Sequence, residues 1–339
     1  MLRQLSLGLS RKSESKSENR RGDQGRSPSR ANAHTTSFAS HLATILRPSP
    51  PNQRTSVGGH SSIAGAGDVS ARLMGDHSAV DNGDMADREV LQGGRNDGAT
   101  RVGPSVLRPT GEWSPAVHQL LKHLEKVGFT GAPRVLDIDR NGREVLTFID
   151  GEAGSLTYPP ALLEEDGIVE WGRFIRRYHE AVASFLPPPD AVWRVGRKRL
   201  CPGEVVCHGD LGHWNAVWRD GRVVGAIDWD FAEPDSPLRD LATAALGVVP
   251  FLDDERASRQ FLQPPDRRRR LAALSDAYGA TSPHELLDAA IVYLKTEADR
   301  VITFGGDGRE PWASHLRRGT AEVLNKRVHW IETNRSNLA

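Results

Sequence analysis

Val206-Cys207-His208-Gly209-Asp210-Leu211-Gly212-His213-Trp214-Asn215 sets an acid and a carboxamide with four residues between them, in a loop that follows an apolar, strand-like run. Thirteen residues past Asn215, a second apolar run, Gly225-Ala226-Ile227, ends in Asp228-Trp229-Asp230. Between the runs lies Arg219-Asp220-Gly221-Arg222, whose Asp-Gly pair favours a tight hairpin turn. The stretch therefore reads as strand, loop and strand, with an acid delivered beside each of two apolar runs.

Phosphoryl transfer asks little more of side chains than this. One carboxylate orients and deprotonates a hydroxyl, and an Asn and an Asp hold magnesium against the phosphates. Asp210 is the candidate base, because a carboxylate ionised at neutral pH can accept the hydroxyl proton. Asn215 and Asp228 are the candidate metal ligands, a neutral and a charged oxygen donor of the hard type that Mg2+ prefers. His208, two residues before the base, is expected to brace the loop by hydrogen bonding rather than to move protons. Either half alone is as well explained by a turn and a solvent-facing strand end; the ordered pair is not.

At these residues the chain resembles the aminoglycoside phosphotransferase family. The resemblance rests on His208-Gly209-Asp210 with Asn215, on Ile227-Asp228-Trp229, and on Arg239-Asp240-Leu241-Ala242, and spans roughly residues 89 to 332. It implies an α+β, bilobal, protein-kinase-like fold, with a β-rich nucleotide-binding lobe at 89–150 and a larger, mostly helical lobe at 151–335. It also implies ATP (or GTP) with Mg2+ as cofactors, a small-molecule hydroxyl acceptor as partner, and Asp240 as a buried acid steadying the catalytic loop. A protein kinase is disfavoured, since no Ala-Pro-Glu-like segment follows Asp228. A kinase-fold module that binds nucleotide without transferring phosphate is the alternative.

Composition narrows the partners. Lys+Arg 44 balances Asp+Glu 44, which argues against nucleic acid and against a polybasic membrane surface. Two cysteines, Cys201 and Cys207, fit reduced thiols in a cytoplasmic protein and offer no metal-binding spacing. No apolar run approaches the roughly 18 to 20 residues of a membrane-spanning helix. Residues 1 to 88 are rich in Ser, Arg and Gly and poor in aromatics, so disorder is expected there. A transit peptide, or a translation start at Met74 or Met85, are the other readings of that tail.

In the first lobe, Val90 to Gly94 and Gly98 to Val102 read as a hairpin; Gly93 and Gly94 serve an ordinary turn or, as the resemblance implies, cover the nucleotide phosphates. Ser105 to Arg108 reads as the next strand. The resemblance calls for a Lys there, paired with a Glu on the following helix. Here Arg108 stands in the strand, and Val117, beside His118, falls at the acid position. Arg108 either serves the phosphates without an acid partner or faces solvent ahead of Pro109. The hinge that would hold the base is expected near Thr147 to Asp150, which makes Phe148 and Ile149 nucleotide-contact candidates. Ser114 is expected to cap a helix through Leu124, and further helices are expected at 161–186, 238–248, 254–261, 266–278, 283–304 and 311–332. The basic run Arg267 to Arg270 reads as a solvated face. Asp230, Glu233, Asp235, Glu297 and Asp299 are the candidate acids for a cationic acceptor, and Trp214 and Trp229 either wall it or pack between the lobes.

Overall fold

Antiparallel pairing of short strands builds the first part of the described chain. The computed structural model describes residues 88–91, 98–155 and 157–339. Gly93, Gly94 and the tail before residue 88 therefore lie outside the described residues. Strands β1 (Arg88–Val90), β2 (Thr100–Val102), β3 (Ser105–Pro109), β4 (Val135–Ile138) and β5 (Arg143–Thr147) form one sheet in the order β1-β2-β3-β5-β4. Helix α1 (Ser114–Lys126) enters between β3 and β4 and buries Val117, Leu120, Leu121 and Leu124 on one face, the i, i+3, i+4 pattern of an amphipathic helix. Pro115 occupies its first turn. Ser114 is not the cap: it is the first helical residue, and its hydroxyl accepts from the Gly111 N–H at 2.9 Å.

Beyond the connector at Phe148 to Gly151, β6 (Glu152–Ala153) joins a second sheet. Helix α2 (Glu165–Val182) buries Ile168, Trp171, Phe174, Ile175 and Tyr178. A small hairpin follows, β7 (Val192–Trp193) and β8 (Gly196–Arg197). Strand β9 (Val205–Cys207) leads into the loop, and β10 (Ala216–Arg219) and β11 (Arg222–Ala226) form the predicted hairpin. Its turn residues Asp220 and Gly221 both have positive φ, 52° and 73°, as the Asp-Gly pair requires. Strand β12 (Glu233–Asp235) returns to pair with β9, Glu233 opposite Cys207. That pairing brings the residues after Asp228 back beside the strand that launches the His208–Asn215 loop.

The rest is helical: α3 (Leu238–Val248), α4 (Asp254–Ala257), α5 (Arg267–Tyr278), α6 (Pro283–Gly306), α7 (Trp312–Arg317) and α8 (Thr320–Leu338). Helix α3 is buried from Arg239 to Val248, so it is a core helix rather than a surface one. The helix expected at 311–332 is two helices, because Gly319 takes a left-handed φ of 70° between them. The segment expected as helix to residue 261 ends at Ala257.

The basic run is not a solvated face. Arg270 is buried and donates to the carbonyls of Val248, Leu163 and Leu162, while Arg267 donates to those of Pro250 and Leu252. Carbonyls left open at and after the end of α3 gain cationic donors in this way. Arg268 and Arg269 are exposed, so the expectation holds only for the middle of the run.

Candidate functional site

The loop begins where β9 ends, and Gly209 turns it. Its φ is 82°, and a Cβ at that position would collide with the Phe231 carbonyl oxygen, so no other residue fits. Asp240, fully buried on α3, fixes the same turn. Its carboxylate accepts from the backbone N–H groups of His208 (2.8 Å) and Gly209 (2.9 Å) and from His179 Nε2 (3.2 Å). With that carboxylate ionised, His179 carries its proton on Nε2, and its Nδ1 accepts from the Tyr278 hydroxyl at 2.9 Å. Burial pushes the Asp240 carboxyl up, but His179 and the His208 N–H outweigh it and hold the group below the usual carboxylate range.

His208 ties the loop to the neighbouring turn. Its Nε2 donates to the Ile227 carbonyl at 3.0 Å, and its Nδ1 accepts from the Asp210 N–H at 3.4 Å. Burial lowers its pKa, which keeps the imidazole in the neutral form this pair of bonds needs. Asp210 itself is 1% exposed. One carboxylate oxygen accepts from the Trp214 indole at 3.1 Å and the other from the Asn215 side-chain amide at 2.9 Å. The same amide nitrogen donates to the Asp210 carbonyl at 2.9 Å. Asn215 thus points its nitrogen at Asp210 and its oxygen elsewhere.

Asp228 lies next to this group, since the Ile227 N–H donates to the Asn215 carbonyl at 2.9 Å. The Asp228 backbone is left-handed (φ 65°, ψ 63°), a conformation a non-glycine residue adopts at a cost of roughly 1–3 kcal/mol. Its side chain remains 17% exposed, unlike that of Asp210. The sequence-predicted residues Asp210, His208, Asn215 and Asp228 are therefore one cluster.

Arg108 completes the cluster from β3. It is buried, and its Nη2 donates to Asp228 Oδ1 (3.1 Å) and Asp230 Oδ1 (2.9 Å). It has an acid partner after all: Glu144, directly opposite in the β3–β5 register, lies 3.7 Å from its Nε. His118 on α1 bonds the far oxygen of Glu144 at 2.7 Å. The acid is supplied by the neighbouring strand and steadied by the helix, so spacing along the helix alone does not reveal it. Ile149 packs against Gly225 on β11, whereas Phe148 lies under the Arg101 guanidinium, 3.8 Å from ring centre to carbon. Both belong to the connector between the sheets.

Two further expectations change. Trp214 and Trp229 are buried rather than a wall; Trp214 grips Asp210, and Trp229 donates to the Ala226 carbonyl and packs on His208. Trp214 is a site residue that only its place within the loop could have suggested. The candidate acids are already held by the protein's own cations. Asp230 is bound by Arg108 and Arg194, Asp235 by Lys198, and Glu297 by Arg239 and Arg300. Glu233 is fully buried among Arg239, Arg300 and Lys198; burial alone would raise its pKa, yet these cations bring it down to about 2. Asp299 alone of the five is exposed.

The donor set suits a magnesium ion. Asp228 offers a carboxylate and Asn215 a carboxamide oxygen, both hard donors of the kind magnesium takes, and Arg108 already places positive charge on the Asp228 carboxylate. No helix among the described residues is long and apolar enough to cross a membrane.

Comparison with known proteins gives three findings. A family model described as the phosphotransferase enzyme family matches residues 191–284, the stretch holding the loop, Asp228 and Asp240. The trifolitoxin immunity protein of Rhizobium leguminosarum bv. trifolii is 39% identical over 253 residues, covering 71% of this chain and 95% of that protein. Among solved structures, the GDP complex of a mutant aminoglycoside 2'-phosphotransferase-IIIa is similar with a TM-score of 0.50 at 12% identity, covering 76% of this chain and 95% of that one. At that identity the likeness is one of fold.

Proposed function

The chain belongs to the phosphotransferase enzyme family, and from that premise we propose that it moves the terminal phosphate of ATP or GTP to a hydroxyl of a small molecule. The observation that carries this reading is the continuous link from Asp210 through Asn215 and Ile227 to Asp228. It joins the loop that carries the candidate base to the turn that carries the candidate metal ligand, which supports the two acting on one phosphate in in-line transfer.

Each residue has a part. Asp210 orients the acceptor hydroxyl and takes its proton as the new bond to phosphorus forms. Trp214 and Asn215 fix that carboxylate with uncharged donors, so its negative charge is kept for the proton. Asn215 and Asp228 would hold Mg2+, which when bound neutralises charge on the transferred phosphate. Arg108, anchored by Glu144, binds phosphate oxygens once Asp228 is engaged elsewhere; its fixed charge and forked donors suit that exchange.

The relative's name as a toxin immunity protein supports a toxic compound as acceptor, inactivated by capping its hydroxyl. A polycationic aminoglycoside is poorly supported, because Asp230, Glu233, Asp235 and Glu297 are already neutralised by internal Arg and Lys. One observation favours a second reading, a module that binds nucleotide without turnover: Arg108 occupies the Asp228 carboxylate. A panel of hydroxylated toxins, antibiotics and metabolites assayed for acceptor-dependent ADP release decides between them. Release with one acceptor supports the enzyme. Stabilisation by Mg-ATP without release from any acceptor supports the module.

A further inference from the structure

The surface beside Asp230 carries a device that the transfer chemistry does not use. Phe231 follows Asp230, and its backbone and Cβ are packed on Gly209, at the root of the catalytic loop. Arg194, in the turn between β7 and β8, sets its guanidinium 4.3 Å from the Trp113 ring and 4.7 Å from Phe231, with Nη1 on Asp230 at 2.9 Å. Behind it, Phe231 meets Trp312 at 6.0 Å and Trp312 meets Phe304 at 4.8 Å, both edge to face.

Arg309 lies on that aromatic shelf. Its guanidinium is 4.1 Å from the Phe304 ring and 5.2 Å from Trp312, and Nη2 donates to the Arg194 carbonyl at 2.8 Å. The residue is half-buried. Among the described residues, no carboxylate lies within the 4.0 Å ion-pair distance of Arg309, and Nη2 is its one side-chain nitrogen in a hydrogen bond. Its neighbours differ: Arg108, Arg194, Lys198, Arg239 and Arg300 are each on an acid. His315, three residues past Trp312 and within electrostatic reach of Arg194, is buried, and its Nε2 has no hydrogen-bond partner among the described residues.

A guanidinium stacked on two rings and tied by one nitrogen has already lost its rotamer freedom, while its other N–H groups keep a fixed fork. Such a fork receives a carboxylate in bidentate fashion. We propose that Arg309 is a specificity-determining residue that binds a carboxylate of the acceptor, whose apolar or aromatic body lies against Phe231. This names the acceptor class of the phosphotransfer reading and rests on it for the word acceptor; the binding itself does not depend on turnover.

The test uses the full chain and two probes that differ in one charge, 3-phenyllactate and 3-phenyllactamide, titrated by intrinsic tryptophan fluorescence in the presence of Mg-ADP. The acid should bind about ten- to a hundredfold more tightly than the amide, the range for a hydrogen-bonded charge. Arg309→Gln should bring the acid to the level of the amide, and Arg309→Lys, which keeps the charge without the fork, should fall between. Equal binding of acid and amide to the unmodified protein overturns the proposal without any variant. So does failure of the acid to bind at millimolar concentration, or tighter binding of a polycationic aminoglycoside. Acid preference with no ADP release from any acceptor would keep the subsite and sink the phosphotransfer reading; ADP release on a polycation with no acid preference would do the reverse.

Discussion

The His208–Asn215 loop and the group of acids at Glu233, Asp235 and Glu297 are both rich in charge, yet they treat carboxylates in opposite ways. In the loop, Asp240 is held by two backbone N–H groups and an imidazole, and Asp210 by an indole and a carboxamide. Uncharged donors orient a carboxylate and leave its charge in place. In the second group, Glu233, Asp235 and Glu297 are met by guanidinium and ammonium groups, which orient and neutralise together. The first arrangement suits chemistry and the second suits architecture. Arg108 stands on the boundary, touching Glu144 on one side and Asp228 and Asp230 on the other.

The difference has measurable consequences. Asp240→Ala leaves two buried N–H groups and an imidazole without their acceptor, at roughly 1–3 kcal/mol each. Urea unfolding should show a loss of about 4 kcal/mol; a loss below about 1 kcal/mol would mean that the turn holds itself. Glu233 should show itself through pH. Its pKa in the folded state, about 2, lies below the ordinary 4.5, so its stabilisation is complete above about pH 4.5 and is lost as pH falls toward 2. The shift corresponds to roughly 3 kcal/mol. The urea midpoint should fall over that window, and Glu233→Gln, already destabilised, should flatten the slope. An unchanged slope would place the acid sensitivity elsewhere.

Smaller effects probe the loop and its boundary. Trp214→Phe keeps a buried ring and removes one donor to Asp210. A drop of about tenfold in kcat with little change in KM is expected from one lost hydrogen bond to a charged group. An equal fall in nucleotide affinity would show that the indole serves packing instead. Glu144→Gln loosens Arg108 without emptying the space, so nucleotide KM should rise a few-fold while kcat holds within about twofold. No change in KM would relieve Glu144 of its part.

How far these features were legible follows from how local they are. The strand, loop and strand that carry His208-Gly209-Asp210, Asn215 and Asp228 could be read because apolar runs and an Asp-Gly turn are local signals. Helix α3 could be read for the same reason, as an apolar run with one acid. The partner of Arg108 could not, because Glu144 is set by register between β3 and β5, thirty-six positions away in sequence. Arg267 and Arg270 misled for a related reason: a basic run looks solvated until distant carbonyls of Val248, Leu162 and Pro250 turn out to be its acceptors. Four of the five acids suggested for a cationic acceptor, all but Asp299, misled likewise, since their cations come from β3, the β7–β8 region, α3 and α6. Tertiary pairing of charge leaves no periodic trace in a sequence.

Asp210→Asn offers the sharpest test, because it removes the proton acceptor while keeping both oxygen-side packing and size. Using the acceptor found by screening, ADP release should fall by about a hundred- to ten-thousandfold, the worth of a positioned general base, while Mg-nucleotide binding measured by calorimetry stays within about twofold. Turnover at the unmodified rate in that variant would contradict the assignment of the base and, with it, the mechanism proposed for this site.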